Sequence, residues 1–152
     1  MAIALNLTMP LKQDEETQQR LREFAETAAD TVQPLIDATL RDSEIVHFAR
    51  LLVIDNQWVQ VITEFDGDPV EYSEFFRLKL GPVFEFLFSL VEGAPPWEVL
   101  NDPGEFQKFT NEHDLKSLGR STDGNPDRGY LFSATGDATV REIKAGLEQY
   151  EQ

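Results

Sequence analysis

Cysteine is absent from the 152 residues of this chain, so disulfide bonds, zinc–thiolate centres and cysteine nucleophiles are all excluded. Basic residues are also few. The chain has 13 Lys and Arg against 28 Asp and Glu, which gives a net charge of −15. A chain with this charge is repelled by phosphate backbones and by anionic lipid. We therefore expect neither nucleic acid nor a membrane as a partner.

Apolar runs long enough to cross a bilayer, which takes about 18 residues, are also absent. The first residues show no basic segment followed by an apolar run, so no secretory signal is expected and a cytoplasmic location is predicted. The composition is that of a folded domain, since 41% of the residues are hydrophobic. The length suits one core, and we predict a single domain over residues 1–152.

Hydrophobic periodicity predicts how strands and helices follow one another. Apolar residues at every second position indicate half-buried strands, and apolar residues at helical spacing indicate amphipathic helices. The predicted strands are residues 3–9, 45–54, 58–65 and 130–135. The predicted helices are residues 14–40, 68–92 and 139–150, with a short helix inside 104–118. The order is therefore β-α-β-β-α, an insert, and β-α.

Turn-forming residues predict where some of these elements bend or end. Asp55-Asn56 is expected to form a two-residue hairpin turn, because both residue types tolerate positive φ. Pro34 is expected either to kink the first helix or to divide it into two abutting helices. Gly81-Pro82 is expected to kink the second helix in the same way.

The element order predicts an α+β fold. Without the insert, residues 97–129, and without the C-terminal helix, the order βαββαβ is that of a ferredoxin-like sandwich. The second strand, expected to be central, is apolar on both faces, and the helix over 68–92 is apolar over more than half of its circumference. The predicted faces of that strand are Ile45, Ala49, Leu51 and Val53 on one side, and Val46, Phe48, Leu52 and Ile54 on the other.

One interface between a sheet and its helices cannot bury this much apolar surface. Either residues 97–129 fold over the sheet, or a second copy of the chain covers it. We favour the second copy, because pairing of two sheets is a common way for ferredoxin-like subunits to hide that face. The sequence therefore predicts a homodimer.

Four segments carry a resemblance to known proteins: VHFARLLVID, TEFDGD, EFFRLKLGPVFEFLF and YLFSATGDATVREIKAGL. They resemble a small bacterial family of ferredoxin-like proteins without an assigned reaction. In layout, residues 3–92 and 130–150 are similar to the dimeric α+β barrel superfamily, which includes haem-dependent peroxidases, haem-degrading monooxygenases and small isomerases. The resemblance implies a dimeric α+β barrel, and it leaves the reaction open because a fold does not define one.

Two residues of the segment HFAR are candidates for chemistry. His47 could act as an acid or base, or as a haem ligand, and Arg50 could hold a carboxylate. Their spacing predicts that they point to opposite faces of the strand. The alternative for both is structural: a hydrogen-bonded core histidine, and an arginine paired with a nearby acid.

Asp66 and His113 are the other candidates. Asp66-Gly67 follows a predicted strand and is read either as a turn with positive φ at the glycine or as an acid above a haem. Dye-decolorising peroxidases carry Gly, two residues, then Asp-Gly at such a turn, but Thr63 stands here in place of the first glycine. Those enzymes also have two ferredoxin-like halves. His113 is a candidate cofactor ligand, or simply a favourable cation at a helix C-terminus.

A metal site is not predicted. Asp123, Asn125 and Asp127 alternate as in a calcium loop, but Arg128 and Ala134 stand where an EF-hand requires glycine and glutamate.

Three functions stay open. The favoured one is binding of a small, partly apolar ligand between sheet and helices or at a dimer interface, with His47, Arg50 and Asp66 as ligand-binding candidates. An alternative is an enzyme of the dimeric α+β barrel superfamily, either peroxidase-like with haem as its cofactor or a cofactorless monooxygenase or isomerase. The third is a module that binds a protein partner.

Overall fold

A computed structural model describes residues 2–151, and Met1 and Gln152, the two ends of the predicted domain, lie outside that description. The described residues form a mixed α+β structure with one antiparallel sheet of three strands. The strands are β1 (Ile3–Pro10), β2 (Val46–Ile54) and β3 (Trp58–Phe65). Their order is β1-β3-β2, so β3 is the central strand. The prediction that the second strand is central is therefore wrong, because β2 lies at an edge.

Six α-helices accompany the sheet within residues 2–151. They are α1 (Glu15–Asp42), α2 (Pro69–Lys79), α3 (Gly81–Ser89), α4 (Trp97–Leu100), α5 (Pro103–Glu112) and α6 (Val140–Glu151). None of these helices is both long enough and apolar enough to span a membrane. The first five elements follow the predicted order β-α-β-β-α, with β3 inserted between β1 and β2.

The local signals in the sequence are largely confirmed. Asp55 and Asn56 adopt φ of 52° and 55°, and the turn closes when the Gln57 N–H donates to the Ile54 carbonyl over 2.9 Å. The predicted helix over 68–92 is divided, because α2 ends before Leu80 and α3 begins at Gly81. In contrast, α1 continues through its internal proline as one helix of 28 residues.

The predicted fourth strand over residues 130–135 is wrong, since this segment has no strand structure. The edge of β1 that does not pair with β3, where a further strand could pair, is occupied by residues 113–115. The Thr8 N–H donates to the His113 carbonyl over 2.9 Å, and the Leu115 N–H donates to the Asn6 carbonyl over 3.0 Å. The short helix predicted inside 104–118 is confirmed as α5, which carries Phe106 and Phe109 but ends at Glu112, so Leu115 lies beyond it.

One face of the sheet, here called the inner face, packs against α1, α2 and α3. It is formed by Leu5, Leu7, Met9, Val46, Ala49, Leu51, Val53, Val59, Val61, Thr63 and Phe65. A cluster of aromatic rings lies above it, in which Phe106 is 1% exposed and lies 5.4 Å from Phe84 between ring centroids. Burying a side chain of this size contributes about 1.5–3 kcal/mol.

The insert, residues 97–129, covers the helices rather than the sheet. Phe109 of α5 packs on Phe88 of α3 with 4.9 Å between ring centroids, and Trp97 lies 6.4 Å from Phe106. This explains why the helix over 68–92 is apolar around most of its circumference: α2 and α3 have the sheet on one side and α4 and α5 on the other.

The opposite face of the sheet, here called the outer face, is largely open. It is formed by Ala4, Asn6, Thr8, Phe48, Arg50, Leu52, Ile54, Trp58, Gln60, Ile62 and Glu64. Phe48 is 71% exposed, and Ile54 and Trp58 are each 41% exposed. The apolar second face of β2 thus has no cover comparable to the helices on the inner face.

Candidate functional site

A bulge at the start of β2 positions the first candidate, His47. Val46 lies opposite Phe65 of β3, but Phe48 lies opposite Glu64, so His47 is an extra residue on β2. The backbone N–H of Val46 donates to the Ser43 side chain, which holds the entry of the strand. The bulge moves Val46 to the inner face, whereas alternation from the sequence had grouped it with Phe48. The bulge also interrupts the alternation of side chains at His47, so the spacing between His47 and Arg50 does not show that they point to opposite faces.

His47 and Asp66 form a pair at the junction of the sheet and α6. The Nε2 atom of His47 lies 2.8 Å from Oδ1 of Asp66, and each side chain is 10% exposed. The second carboxylate oxygen, Oδ2, accepts the backbone N–H of Val140 over 2.7 Å. Val140 is the first residue of α6, and a carboxylate at a helix N-terminus is favoured by the helix dipole.

Asp66 therefore connects three parts of the fold. It follows β3, its own N–H donates to the Ile45 carbonyl over 2.7 Å, and its side chain binds β2 through His47 and α6 through Val140. The predicted turn is present as well, since Gly67 has a φ of 92°. The geometry supports the structural reading of Asp66 and His47 as a buried latch that fixes α6 to the sheet.

A groove of about 690 Å³ lies beside this latch, between the start of β2 and the N-terminal end of α6. We call it the β2–α6 groove. Its remaining walls are the C-terminal end of α1 and residues 131–135. The lining residues are Ala2, Asp37, Leu40, Arg41, Val46, His47, Phe48, Ala49, Glu64, Leu131, Phe132, Ser133, Ala134, Thr135, Val140, Ile143 and Lys144. The wall is mostly apolar, with a few polar groups, as in small-molecule sites.

Two groups with opposite charge line this groove in different ways. The Nζ atom of Lys144 donates to the carbonyls of Arg41 and Ser43 over 2.8 and 2.6 Å, so it caps the C-terminal end of α1. Glu64, on β3, is half-buried and forms no hydrogen bond or ion pair with any residue of the range 2–151. Burial raises the pKa of Glu64, and the nearby charges of Arg50 and His47 oppose this only in part.

Arg50 lies outside the β2–α6 groove. It is exposed on the outer face, opposite Ile62 of β3, and is not among the groove-lining residues. The structure therefore brings together two of the three ligand-binding candidates, His47 and Asp66, and separates Arg50 from them. Arg50 acts on the groove only at a distance, through its attraction for Glu64.

A second, smaller groove of about 360 Å³ lies at the same end of the sheet as the β2–α6 groove, on the side of β1. It is bounded by the start of β1, by residues 114–117 and by residues 121–137. Asp114 lines it and accepts the Asn6 backbone N–H over 2.8 Å. Burial raises the pKa of the Asp114 carboxyl, and the hydrogen bond from Asn6 lowers it by less.

His113 lies far from His47 in the sheet, because it borders β1 while His47 is on β2, and β3 separates these strands. Its Nδ1 atom lies 2.9 Å from the Phe109 carbonyl, and it is the C-cap residue of α5. This is the structural role expected of a histidine at a helix end. In the chain as described, His113 lines neither groove.

The two histidines do not fit a haem site. Nε2 of His47, the usual iron ligand, is bonded to Asp66, and His113 binds the Phe109 carbonyl and lines neither of the two grooves described in residues 2–151. We derive no haem chemistry from either residue.

Comparison of the chain with models of protein families, with curated proteins and with solved structures found no match. The resemblance to ferredoxin-like families stays a prediction.

Sequence reasoning missed three contributors to the β2–α6 groove: Glu64, Lys144 and the segment 131–135. Glu64 had a visible signal, because it is the only charged residue at the outer-face positions of β3. Lys144 and the segment 131–135 had none, since their places depend on how α6 docks onto the sheet.

Proposed function

We propose that this protein binds a small, partly apolar molecule in the β2–α6 groove. The observation that carries the proposal is a groove of about 690 Å³ with a mostly apolar wall, in which the carboxylate of Glu64 forms no hydrogen bond or ion pair with residues 2–151. A buried polar group in an apolar wall supplies orientation and specificity in ligand sites. The His47–Asp66 latch contributes by holding the α6 wall of the groove against β2.

Screening a fragment library by ligand-observed NMR tests this proposal, with the groove-filling variant Ala134→Trp as the control for location. Ala134 lines the groove, and Ala145 is exposed on α6 outside it. We expect fragments that bind the wild-type protein and Ala145→Trp but not Ala134→Trp. The proposal fails when no fragment binds, or when Ala134→Trp binds the same fragments equally well.

The enzymatic alternatives have no comparable support. His47 and Asp66 satisfy each other and the first turn of α6, so neither presents a free acid or base to the groove through the atoms of that bond.

We also propose that a second copy of the chain covers the outer face at its hairpin end, where Ile54 and Trp58 lie, and leaves Phe48 and the β2–α6 groove accessible. The exposed side chains of Ile54 and Trp58 support this, and so does the charge of the face. Its two charged residues, Arg50 and Glu64, cancel, while the whole chain carries −15. Two copies therefore meet with the least repulsion on this face.

Light scattering after size exclusion measures the oligomeric state directly. We expect a dimer at micromolar concentration and a monomer for Ile54→Lys, because a lysine there would be buried without a partner. Leu118→Lys is the matched control, since Leu118 is 90% exposed and lies off the outer face. A monomeric wild-type protein would contradict the proposal.

The ferredoxin-like relationship is proposed on the strand order. β3 lies between β1 and β2, which is the split βαβ arrangement of that fold. Residues 113–115 pair with the free edge of β1 and would take the place of its fourth strand.

A further inference from the structure

Among the strand residues described within 2–151, Glu64 is the only carboxylate on the outer face, and it borders the β2–α6 groove. It lies on the central strand, opposite Phe48 of β2 and Ala4 of β1, so apolar side chains flank it on both sides. It has no hydrogen-bond or ion-pair partner within residues 2–151. A half-buried carboxylate without a partner is unfavourable, and an opposite charge placed in the groove offsets that cost.

The cations around the groove are engaged elsewhere or lie outside it. Lys144 donates to two backbone carbonyls, and the Arg41 guanidinium lies 3.1 Å from Asp37. His47 is bonded to Asp66. Arg50 lies outside the groove and attracts Glu64 only at a distance. Among residues 2–151, no cation that lines the groove forms an ion pair with Glu64, so a cation from outside the chain could pair with it.

Aromatic rings in the groove wall are a second feature that favours the binding of a cation. Phe48 and Phe132 line the same groove and are 71% and 84% exposed, so their faces are accessible to a ligand. The face of an aromatic ring attracts a cation, by about 0.5–1 kcal/mol at exposed sites. The charge of −15 on the chain attracts cations over a longer range and repels anions.

We propose that the ligand class of this groove is an amphipathic ammonium compound. Its charged nitrogen pairs with the Glu64 carboxylate beside Phe48, and its apolar body lies against Leu131 and Ile143. The inference rests on the proposed ligand-binding function and narrows it to one chemical class.

Three probes of equal shape and different charge test the inference: 3-phenylpropylammonium, 3-phenylpropan-1-ol and 3-phenylpropanoate. Each is titrated into the ¹⁵N-labelled protein at neutral pH, and the amide shifts of the groove are followed. We expect the ammonium compound to bind at least tenfold more tightly than the alcohol, and the carboxylate to bind most weakly. The shifts should centre on Phe48, Glu64 and Ile143.

Variants separate pairing with Glu64 from general attraction to an acidic protein. Glu64→Gln should lower the affinity for the ammonium compound about tenfold, which is about 1.4 kcal/mol, and leave the affinity for the alcohol unchanged. Glu92→Gln removes one charge from an exposed position outside the groove and should change neither of these two affinities. Phe48→Leu, at an exposed site, should lower the ratio of ammonium to alcohol affinity a few-fold and serves as a second variant if Glu64→Gln does not fold.

The possible failures are distinct. If the alcohol or the carboxylate binds the groove more tightly than the ammonium compound, the ligand class is wrong and the groove proposal stands. If Glu64→Gln and Glu92→Gln weaken the ammonium compound equally, general attraction explains the binding and the inference is overturned. If none of the three shifts the groove amides, the inference is also overturned, while the proposed function fails only when the fragment screen fails too.

Discussion

The two faces of the sheet are built from the same three strands and have opposite surroundings. On the inner face, Leu7 and Met9 are fully buried, with α1, α2 and α3 packed against that face and α4 and α5 beyond α2 and α3. On the outer face, Phe48 and Trp58 remain exposed and the groove-lining segment 131–135 reaches only one end of the sheet. The strand β2 is apolar on both sides, but only one side is covered.

This difference in cover assigns different roles to the two faces: the inner face stabilises the fold, and the outer face carries the proposed interactions. Apolar residues on the inner face are surrounded by packed side chains, so their burial contributes to the stability of the fold. Apolar residues on the outer face are not surrounded in this way by residues 2–151. Both proposals, for a ligand and for a second copy, rest on that face.

The largest expected effect tests whether a buried residue on the side of the inner face contributes more to the free energy of unfolding than an exposed residue on the outer face. Phe106→Ala, in the core above the inner face, should lower the free energy of unfolding by about 3–5 kcal/mol, because it leaves a cavity among packed rings. Phe48→Ala, on the outer face, should lower it by less than about 1 kcal/mol. Urea unfolding of both variants measures the two values. Equal losses would show that Phe48 is covered in solution and that the groove end of the outer face is not accessible.

A smaller effect is expected at the junction between the faces, where Asp66 holds α6. Asp66→Ala removes the acceptor of the Val140 N–H and the partner of His47, both in buried positions. The free energy of unfolding should fall by about 2–3 kcal/mol. The amides of α6 should exchange faster with solvent, which mass spectrometry detects.

Asp68→Ala is the matched control for that variant. Asp68 accepts the Val70 N–H at the start of α2, and the loss of such a cap costs about 1 kcal/mol. It should leave exchange in α6 unchanged. Faster exchange in α6 for both variants would refute the specific role of Asp66.

The smallest effect concerns the carboxylate on the outer face. The raised pKa of Glu64 means that its ionised form is disfavoured in the folded state, so Glu64→Gln should be slightly more stable at neutral pH, within about 0.5 kcal/mol. This advantage should shrink as the pH falls through the raised pKa and then through the pKa of the unfolded chain. The charged groups that act on Glu64, Arg50 and His47, are present in both proteins and largely cancel in the difference.

The measurement is the free energy of unfolding of both proteins from neutral pH to below pH 4 in urea. A difference between the two proteins that grows as the pH falls would contradict the direction of the Glu64 pKa. It would also remove one support of the ammonium proposal.

Sequence reasoning predicted most of the local structure correctly and failed where an element depends on distant partners. The turn at Asp55-Asn56 and the break near Gly81 depend on neighbouring residues, and both were found. The apolar run near residue 130 looked like a strand, but the edge of β1 was already taken by residues 113–115. The candidate site was found in part, because His47 and Asp66 are adjacent to the groove, while Arg50 is not in it.

The sequence by itself determined the acidic charge, the exclusion of cysteine chemistry, the α+β class and the order of the first five elements. These follow from composition and from periodicity within one segment, which need no knowledge of distant contacts. Only the tertiary structure decided that β2 is an edge strand with a bulge at His47, that the insert covers the helices, and that Glu64 stands without a partner within residues 2–151. The reason is physical: pairing register and docking are chosen by contacts between residues far apart in the chain, and no local pattern records them.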